Sequence, residues 1–306
     1  MTIQLRALHE TFGAEVTGVD LSREIDDATL AEIVAAWHRY SILLFRGVTW
    51  TPAQHVAFTR RLGPLHIMEP PEFNLPGHPE ILVVSNVEKD NKPIGMKRAG
   101  WGWHSDGEDK VLPNAGSFIH ALKLPPSDGD TLYADTYAAF AALPPDVRRT
   151  IMGRRACFSR LRFHQVYYPH LPPLTEAQKQ ARPDVWHPIA RRHPHSGWTS
   201  LYIGRWAYRI DGVDDAEAQQ LIDYLKDFAT QPEFVYRHPW RVGDALLWDN
   251  RCVQHCATPF DDAKYQRLMH RTTLEGEPPI MAEREVLRSI RVTPARSRDA
   301  ALRAPP

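Results

Sequence analysis

Residues 243–257 read Gly-Asp-Ala-Leu-Leu-Trp-Asp-Asn-Arg-Cys-Val-Gln-His-Cys-Ala, and they join a strand pattern to a metal-binding side chain. The apolar run from Ala245 to Trp248 is short and is typical of a buried strand. The imidazole of His255 follows it closely. Because a closing barrel brings strands that are distant in sequence side by side, His255 can meet ligands from another part of the chain.

A second metal-binding pattern, Trp-His-Ser-Asp, occupies residues 103–106. In an extended strand, residues two apart project to the same face, so His104 and Asp106 can converge on one ion. His255, which lies 255 − 104 = 151 residues further on, would supply a third ligand. Two histidines and one carboxylate with open coordination positions point to non-haem Fe(II) rather than zinc.

Two alternatives stay open on these residues alone. His-x-Asp occurs by chance, and most of the fifteen histidines should be surface or hydrogen-bonded residues. The other alternative is zinc bound by Cys252, His255 and Cys256, although a structural zinc normally takes four nitrogen or sulfur ligands. In a strand, both cysteines would also face away from His255. With Cys157 the cysteines number three, which predicts a fold without disulfides in a reducing compartment.

Strand and helix patterns recur on both sides of these motifs. The loop 87–102, polar and glycine-bearing, leads into the Trp-His-Ser-Asp segment. Helices are predicted over 27–40, from 51 to about 62, over 136–143 and over 214–230, and strands over 41–46, 80–86, 115–122, 131–135, 234–238, 245–248 and 268–274.

The composition favours a single domain that acts on small molecules. A chain of 306 residues can form one large domain, which we place at 1–280, before a basic tail at 281–306 that either contacts a neighbouring subunit or is disordered. The 37 basic residues balance the 37 acidic residues, so we expect neither a nucleic acid nor a membrane as partner. No targeting or membrane-spanning pattern is visible, so we expect a cytoplasmic protein, and we expect it to form a homo-oligomer.

Four motifs in the same order carry a family resemblance: WHSDG at 103–107, GDTLYAD at 129–135, GDALLWDNRCVQHCA at 243–257 and RLMHRTTLEG at 267–276. Together they resemble the taurine dioxygenase and 2,4-D dioxygenase family of Fe(II)- and 2-oxoglutarate-dependent oxygenases, over roughly residues 10–276. The resemblance implies a mainly β fold with flanking helices, a double-stranded β-helix or jelly roll. It also implies an Fe(II) cofactor, 2-oxoglutarate as cosubstrate and O2.

Carried over by position, the resemblance assigns the iron ligands to His104, Asp106 and His255. Thr131 and Arg267 match the two groups that hold the distal carboxylate of 2-oxoglutarate, and Arg271 matches a second active-site arginine. The residue types agree with these roles, because a guanidinium binds a carboxylate through two parallel hydrogen bonds and a hydroxyl beside it can satisfy a further lone pair. Since 267, 269 and 271 share one face of a strand, both arginines can point into the barrel.

The resemblance predicts a dioxygenase that hydroxylates a C–H bond of a small anionic substrate and releases succinate and CO2. Aryloxyalkanoates, sulfonates and alkyl sulfates are the expected classes, and C–O or C–S cleavage can follow hydroxylation. Where taurine-using members carry a histidine this chain has Met68, so a more apolar substrate is expected, beside Trp101, Trp103 and Arg271. Ordinary core filling is the alternative for Met68 and both tryptophans, and a non-catalytic jelly-roll binding module is the alternative for the whole chain.

Overall fold

A computed structural model describes residues 2–69, 71–169 and 171–288 of the chain. Within these ranges the helices are α1 Asp27–Tyr40, α2 Pro52–Leu62, α3 Thr136–Ala142, α4 Pro145–Ile151, α5 Arg160–Tyr167, α6 Glu176–Gln180 and α7 Asp215–Ala229. The strands are β1 Gln4–Ala7, β2 Ala14–Thr17, β3 Ile42–Phe45, β4 Asn74–Leu75, β5 His78–Ser85, β6 Glu88–Lys89, β7 Lys92–Pro93, β8 Gly116–Lys123, β9 Thr131–Asp135, β10 Arg155–Phe158, β11 Val185–Pro188, β12 Ala190–Arg192, β13 Thr199–Leu201, β14 Ala207–Ile210, β15 Val235–His238, β16 Ala245–Asp249, β17 Val253–Ala257, β18 Leu268–Leu274 and β19 Ile280–Met281.

Two sheets enclose the candidate site. The larger has the strand order β1-β2-β3-β16-β8-β18-β5-β4, and the smaller has the order β15-β9-β17. Neighbouring strands are antiparallel except for the parallel pair β2 and β3. Side chains from both sheets pack together in one core cluster, which includes Leu82, Met269 and Tyr133. This sandwich is the jelly roll that the sequence predicts.

The predicted strand at 245–248 is confirmed, and both of its faces are buried. Leu246 and Trp248 belong to the core between the two sheets, whereas Ala245 and Leu247 face the helices. Helix α1 contributes Trp37 to that second cluster. Alternate residues of a strand point to opposite faces, so a strand buried on both sides reads as a continuous apolar run.

The helix-start signals in the sequence also match the structure. Asp26 accepts a hydrogen bond from the backbone nitrogen of Thr29 at 2.7 Å and caps α1. At the start of α2, the Thr51 side chain and the Gln54 side chain cap each other's backbone nitrogens, as in a capping box. The long helix predicted at 214–230 is α7. None of the described helices is long and apolar enough to cross a membrane.

A third region combines two predicted helices with small strands, from the middle of the chain, that the sequence analysis did not predict. It contains the small sheets β11-β10-β14 and β13-β12-β19, which pack with α3 and α7 around a separate apolar cluster. Strands of three or four residues carry too few alternations for a periodic signal, and the prolines and arginines between them suggest loops. The predicted loop 87–102 likewise contains the small hairpin β6-β7 and hydrogen bonds to β5 through Met96.

The first residues of the predicted tail belong to the fold. Strand β19 pairs with β12, and the backbones of Thr199 and Val286 are hydrogen-bonded at 2.8 Å. The buried Arg288 side chain donates to Asp135 at 2.8 Å and to Ser41 at 2.6 Å. Up to residue 288 the tail therefore packs on its own chain, and residues 289–306 of the predicted tail lie outside the described residues.

A buried charge network fixes the end of β16 next to the candidate site. Arg251 donates two hydrogen bonds to the Asp249 carboxylate, at 2.8 and 2.6 Å, and His193 is 3.0 Å from it. Burial alone would raise the pKa of Asp249, but the adjacent Arg251 and His193 hold it well below its usual range. The carboxylate therefore stays ionised and compensates the buried guanidinium.

We expect Asp249→Ala to lower the free energy of unfolding by about 3–5 kcal/mol, because it removes the two side-chain hydrogen bonds of the buried Arg251 and leaves only the partly exposed Glu277 carboxylate, at 3.5 Å. Urea denaturation followed by fluorescence measures this difference. The matched control is Asp227→Ala on the exposed side of α7, which should change stability by less than about 0.5 kcal/mol. Equal stabilities of the two variants would contradict the assignment of Asp249 as the counter-ion.

Candidate metal centre and cosubstrate pocket

The three predicted metal ligands meet between the two sheets. His104 and His255 form an antiparallel bridge in which each backbone nitrogen donates to the other residue's carbonyl, at 3.1 and 2.8 Å. Asp106 does not continue this extended segment but begins a turn. The next residue, Gly107, has φ +74°, which ends the extended backbone, and the neighbouring Asn114 leaves no room for a larger side chain there. The strand expected at 103–106 is therefore a single bridge followed by a turn.

The ligand atoms nevertheless converge. The Nε2 atoms of His104 and His255 lie 3.8 and 3.9 Å from Asp106 Oδ1, and the three side chains are about 95% buried. The Nδ1 atom of His104 is 2.8 Å from the Gly102 carbonyl and donates to it, which leaves the Nε2 lone pair free to face the centre. Burial lowers the pKa of His255 to about 4, so its imidazole is neutral at pH 7, the form that binds metals.

Two polar side chains orient the Asp106 carboxylate and backbone. The Ser117 hydroxyl donates to Asp106 Oδ2 at 2.7 Å, and the Asp106 backbone nitrogen donates to Asn250 Oδ1 at 3.1 Å. Asn250 in turn donates to Ser117 at 3.2 Å and accepts from the Trp248 indole at 2.9 Å. The aspartate is thus held by β8 and by the end of β16, the type of support that fixes metal ligands in place.

Arg271, on β18, also reaches this centre. Its guanidinium donates to both carboxylate oxygens of Asp106, at 3.0 and 3.2 Å. Burial alone would raise the pKa of Asp106, but Arg271 and the two histidines lower it, so the carboxylate is ionised. Arg271 therefore lies beside the metal ligands, while Arg267 lies four residues earlier on the same chain segment.

Glu108 joins the metal-ligand turn to the segment between β13 and β14. Its two carboxylate oxygens accept hydrogen bonds from the backbone nitrogens of Ser105 and Trp206, each at 3.2 Å. The carboxylate packs directly on Gly204, where a side chain would overlap it. Burial raises the pKa of Glu108 to about 7. A buried residue of this segment, Arg205, donates to the carbonyl of Trp101 and to the hydroxyl of Tyr168.

A cationic pocket lies at the other end of the candidate site. Arg267 is 8% exposed, its Nε atom has no partner among the described residues, and its guanidinium forms no ion pair within 4.0 Å there. Burial lowers the pKa of Arg267 to about 10, so it remains charged at pH 7. Tyr133 is a common neighbour of Arg267 and Thr131, and the Thr131 hydroxyl accepts from the Trp240 indole at 3.0 Å.

The predicted substrate residues occupy different places. Trp101 is 40% exposed and stacks under Arg98, 5.0 Å from the ring centre, and Arg98 pairs with Asp262 at 2.9 Å. Met68 is half-buried and packs against the core between the sheets, and Trp103 is half-buried. An open pocket is lined by Trp101 and Arg267 among others, so it lies at the cosubstrate end of the site.

A further group of potential ligands, His193, Asp249 and Cys252, lies together in the interior. His193 Nδ1 accepts from two backbone nitrogens, so its Nε2 carries the proton that bonds Asp249. With both nitrogens occupied, His193 has no lone pair for a metal. Cys252 Sγ is 3.4 Å from the hydroxyl of Ser41. The zinc alternative also fails among the described residues, because Cys256 is not part of either cluster of ligand atoms.

Sequence reasoning missed the polar residues that support the centre, notably Ser117, Glu108 and Asn250. Asn250 could have been found, because an amide directly after a fully buried strand needs partners for four hydrogen-bonding positions. Glu108 belongs to a run of charges, Glu-Asp-Lys at 108–110, that resembles a solvated loop. Glu108 is buried because its carboxylate packs against Gly204, which is distant from it in sequence.

Residues 4–273 match the family described as Taurine catabolism dioxygenase TauD, TfdA family. The (S)-phenoxypropionate/alpha-ketoglutarate-dioxygenase of Sphingobium herbicidovorans is 36% identical over 286 residues, which cover 89% of this chain and 94% of that protein. The alpha-ketoglutarate-dependent 2,4-dichlorophenoxyacetate dioxygenase of Cupriavidus pinatubonensis is 34% identical over 288 residues, with 90% and 99% covered.

The fold is also similar to that of a solved dioxygenase structure. A crystal structure of a putative alpha-ketoglutarate-dependent taurine dioxygenase from Burkholderia xenovorans superposes with a TM-score of 0.78 at 30% identity, covering 92% of this chain and 96% of that one. The matched region contains the metal cluster, Thr131 and both arginines. This chain belongs to the TauD and TfdA family of dioxygenases.

Proposed function

We propose that this protein is an Fe(II)- and 2-oxoglutarate-dependent dioxygenase that hydroxylates a C–H bond of a small anionic organic molecule. The observation that carries the proposal is the pairing of two features in one barrel: a buried cluster of two histidines and one carboxylate, and a buried guanidinium that has no counter-ion among the described residues. The first suits non-haem Fe(II), and the second requires an anion.

His104, Asp106 and His255 would hold the iron. Their donor set fits the ion, since two neutral imidazoles and one carboxylate leave half of an octahedral coordination sphere open. Ser117 and Asn250 keep the carboxylate oriented, and the Gly102 carbonyl fixes the tautomer of His104. When bound, Fe(II) activates O2 with electrons from 2-oxoglutarate, which is converted to succinate and CO2, and one oxygen atom enters the C–H bond of the substrate.

Arg267 and Thr131 would bind the distal carboxylate of 2-oxoglutarate. The unpaired Arg267 Nε supports this role, because a carboxylate can accept two parallel hydrogen bonds from a guanidinium. Thr131 accepts from the Trp240 indole and also neighbours the Tyr133 hydroxyl, so its own hydroxyl lies among polar groups beside Arg267. Arg271 has a different role: it neutralises Asp106 in the structure, and its guanidinium would be available to an anionic substrate when that carboxylate holds iron.

The substrate class follows from the charges and the apolar lining. Two related enzymes are named for phenoxypropionate and 2,4-dichlorophenoxyacetate, both of which are aryloxyalkanoates. Here, Arg271 offers a cation, and Met68, Trp101 and Trp103 are the apolar residues proposed for the organic body. Aryloxyalkanoates, sulfonates and alkyl sulfates are the classes we propose, with C–O or C–S cleavage where hydroxylation places a leaving group on the oxidised carbon. The homo-oligomeric state and the cytoplasmic location remain predictions.

Anaerobic addition of Fe(II) and 2-oxoglutarate to the purified protein should produce a visible charge-transfer band, and removal of the metal with a chelator should abolish it. With O2 and a panel of aryloxyalkanoates, alkyl sulfates and sulfonates, at least one compound should raise succinate release above the substrate-free rate. A band without substrate-stimulated succinate from any of the three classes would favour the non-catalytic binding module. Absence of the band would refute the cosubstrate assignment.

A further inference from the structure

Lys110 carries a positive charge close to the metal ligands. Its Nζ atom donates to His66 Nε2 at 2.8 Å and to Asn114 Oδ1 at 3.3 Å. Burial and the neighbouring charges of Lys110 and Arg271 lower the pKa of His66 to about 4, so its imidazole is a neutral acceptor at pH 7. An ammonium has three donors, and these two contacts leave one of them for a further partner.

Lys110 has no dedicated counter-ion. Across the described ranges 2–69, 71–169 and 171–288, no carboxylate oxygen lies within 4.0 Å of Nζ. The adjacent Asp109 pairs with Arg160 at 3.5 Å, and Asp106 is held by Arg271. Burial lowers the pKa of Lys110, and the charges of Asp109 and Asp106 act in the opposite direction without pairing with it. Keeping an unpaired ammonium half-buried costs free energy unless a ligand supplies the opposite charge.

The two residues that hold the Lys110 ammonium also contact the strand of Arg271 and the turn of Asp106. The backbone nitrogen of His66 donates to the Thr273 carbonyl at 2.8 Å, which places His66 against β18 two residues from Arg271. Asn114 packs against Gly107, the residue after Asp106. The charges of both Asp106 and Arg271 act on Lys110. Lys110 thus ends the turn that begins at Asp106, and its partner His66 lies against the strand that carries Arg271.

We propose that Lys110, held by His66 and Asn114, is a specificity-determining residue that binds the anionic group of the substrate. This inference rests on the proposed function and adds a second cation to Arg271. A lysine ammonium is a compact point charge without a preferred planar partner, so it suits both a carboxylate and a sulfate monoester. The enzyme should therefore select small organic anions over neutral molecules of the same shape.

The test compares Lys110→Gln with the wild type. Glutamine keeps an N–H donor for His66 but removes the charge, and Lys179→Gln on the surface helix α6 removes an equivalent charge elsewhere. The anaerobic complex with Fe(II) and 2-oxoglutarate is titrated with 2-phenoxypropionate, hexyl sulfate and the neutral 2-phenoxypropionamide, and the shift of the visible band reports binding. We expect Lys110→Gln to weaken binding of the preferred anion by about 10- to 100-fold, the size of a lost charge-assisted hydrogen bond.

Affinity for the neutral amide and for 2-oxoglutarate should be unchanged in Lys110→Gln, and Lys179→Gln should match the wild type throughout. If only 2-phenoxypropionate binds more weakly to Lys110→Gln, the group that Lys110 binds is a carboxylate. If only hexyl sulfate binds more weakly, that group is a sulfate. Unchanged anion binding, an equal loss for the amide, or a wild-type complex that binds neither anion would overturn the inference while the proposed function stands. A wild type without the band would overturn both.

Discussion

Asp106→Ala is expected to reduce succinate formation by at least about a thousandfold, because a bound metal supplies several kcal/mol of transition-state stabilisation and the variant loses one of its three protein ligands. Removal of this carboxylate also leaves Arg271 without its partner and Ser117 without its acceptor. The centre therefore loses a ligand and its local charge balance at once.

The measurement combines succinate release with anaerobic Fe(II) binding, so that loss of metal is separated from loss of turnover. Asp106→Asn is the informative companion, since it keeps the volume and an acceptor oxygen but removes the charge. The control is Asp223→Ala, on the exposed side of α7, which should retain wild-type activity and metal affinity. Full substrate-coupled succinate formation in Asp106→Ala would show that the ligand assignment is wrong.

The cluster of candidate metal ligands could be anticipated only in part from local signals. His104 and Asp106 are two residues apart, which is a local pattern, whereas His255 lies 151 residues further on and is joined to them by the fold that the family resemblance implies. The backbone differs from the predicted strand at 103–106, because the chain turns at Gly107 directly after Asp106. The side chains converge because Asn250 and Ser117 hold the turn.

Other features depend on contacts that no local pattern encodes. The pairing of β10, β11 and β14 involves strands of four residues, whose burial comes from packing against α3 and α7 rather than from their own periodicity. The Glu-Asp-Lys run at 108–110 resembles solvent-exposed charge, yet its Glu108 is 1% exposed. Whether a charge is buried and whether it has a partner are properties of the assembled sheets, and these properties distinguish Lys110 and Arg267 from ordinary surface cations.

The second large effect concerns Arg267. Arg267→Met should weaken 2-oxoglutarate binding by about two to three orders of magnitude, because truncating one partner of a buried, hydrogen-bonded charge pair costs about 2–5 kcal/mol. Anaerobic titration of the Fe(II) protein with 2-oxoglutarate measures this through the visible band. Arg209→Met is the matched control, since Arg209 is an exposed arginine paired with Asp215 and does not line the pocket.

Arg267→Met should weaken cosubstrate binding without lowering the stability of the protein. Without 2-oxoglutarate, Arg267 is a buried charge that has no counter-ion among the described residues, so an apolar methionine should leave the free energy of unfolding unchanged or raise it. Adding 2-oxoglutarate should raise the melting temperature of the wild-type Fe(II) protein but not that of Arg267→Met. A structural arginine would give the reverse result: loss of stability in the variant, with cosubstrate binding retained. The combination of weaker binding with undiminished stability therefore distinguishes a cosubstrate-binding arginine from one that holds the fold together.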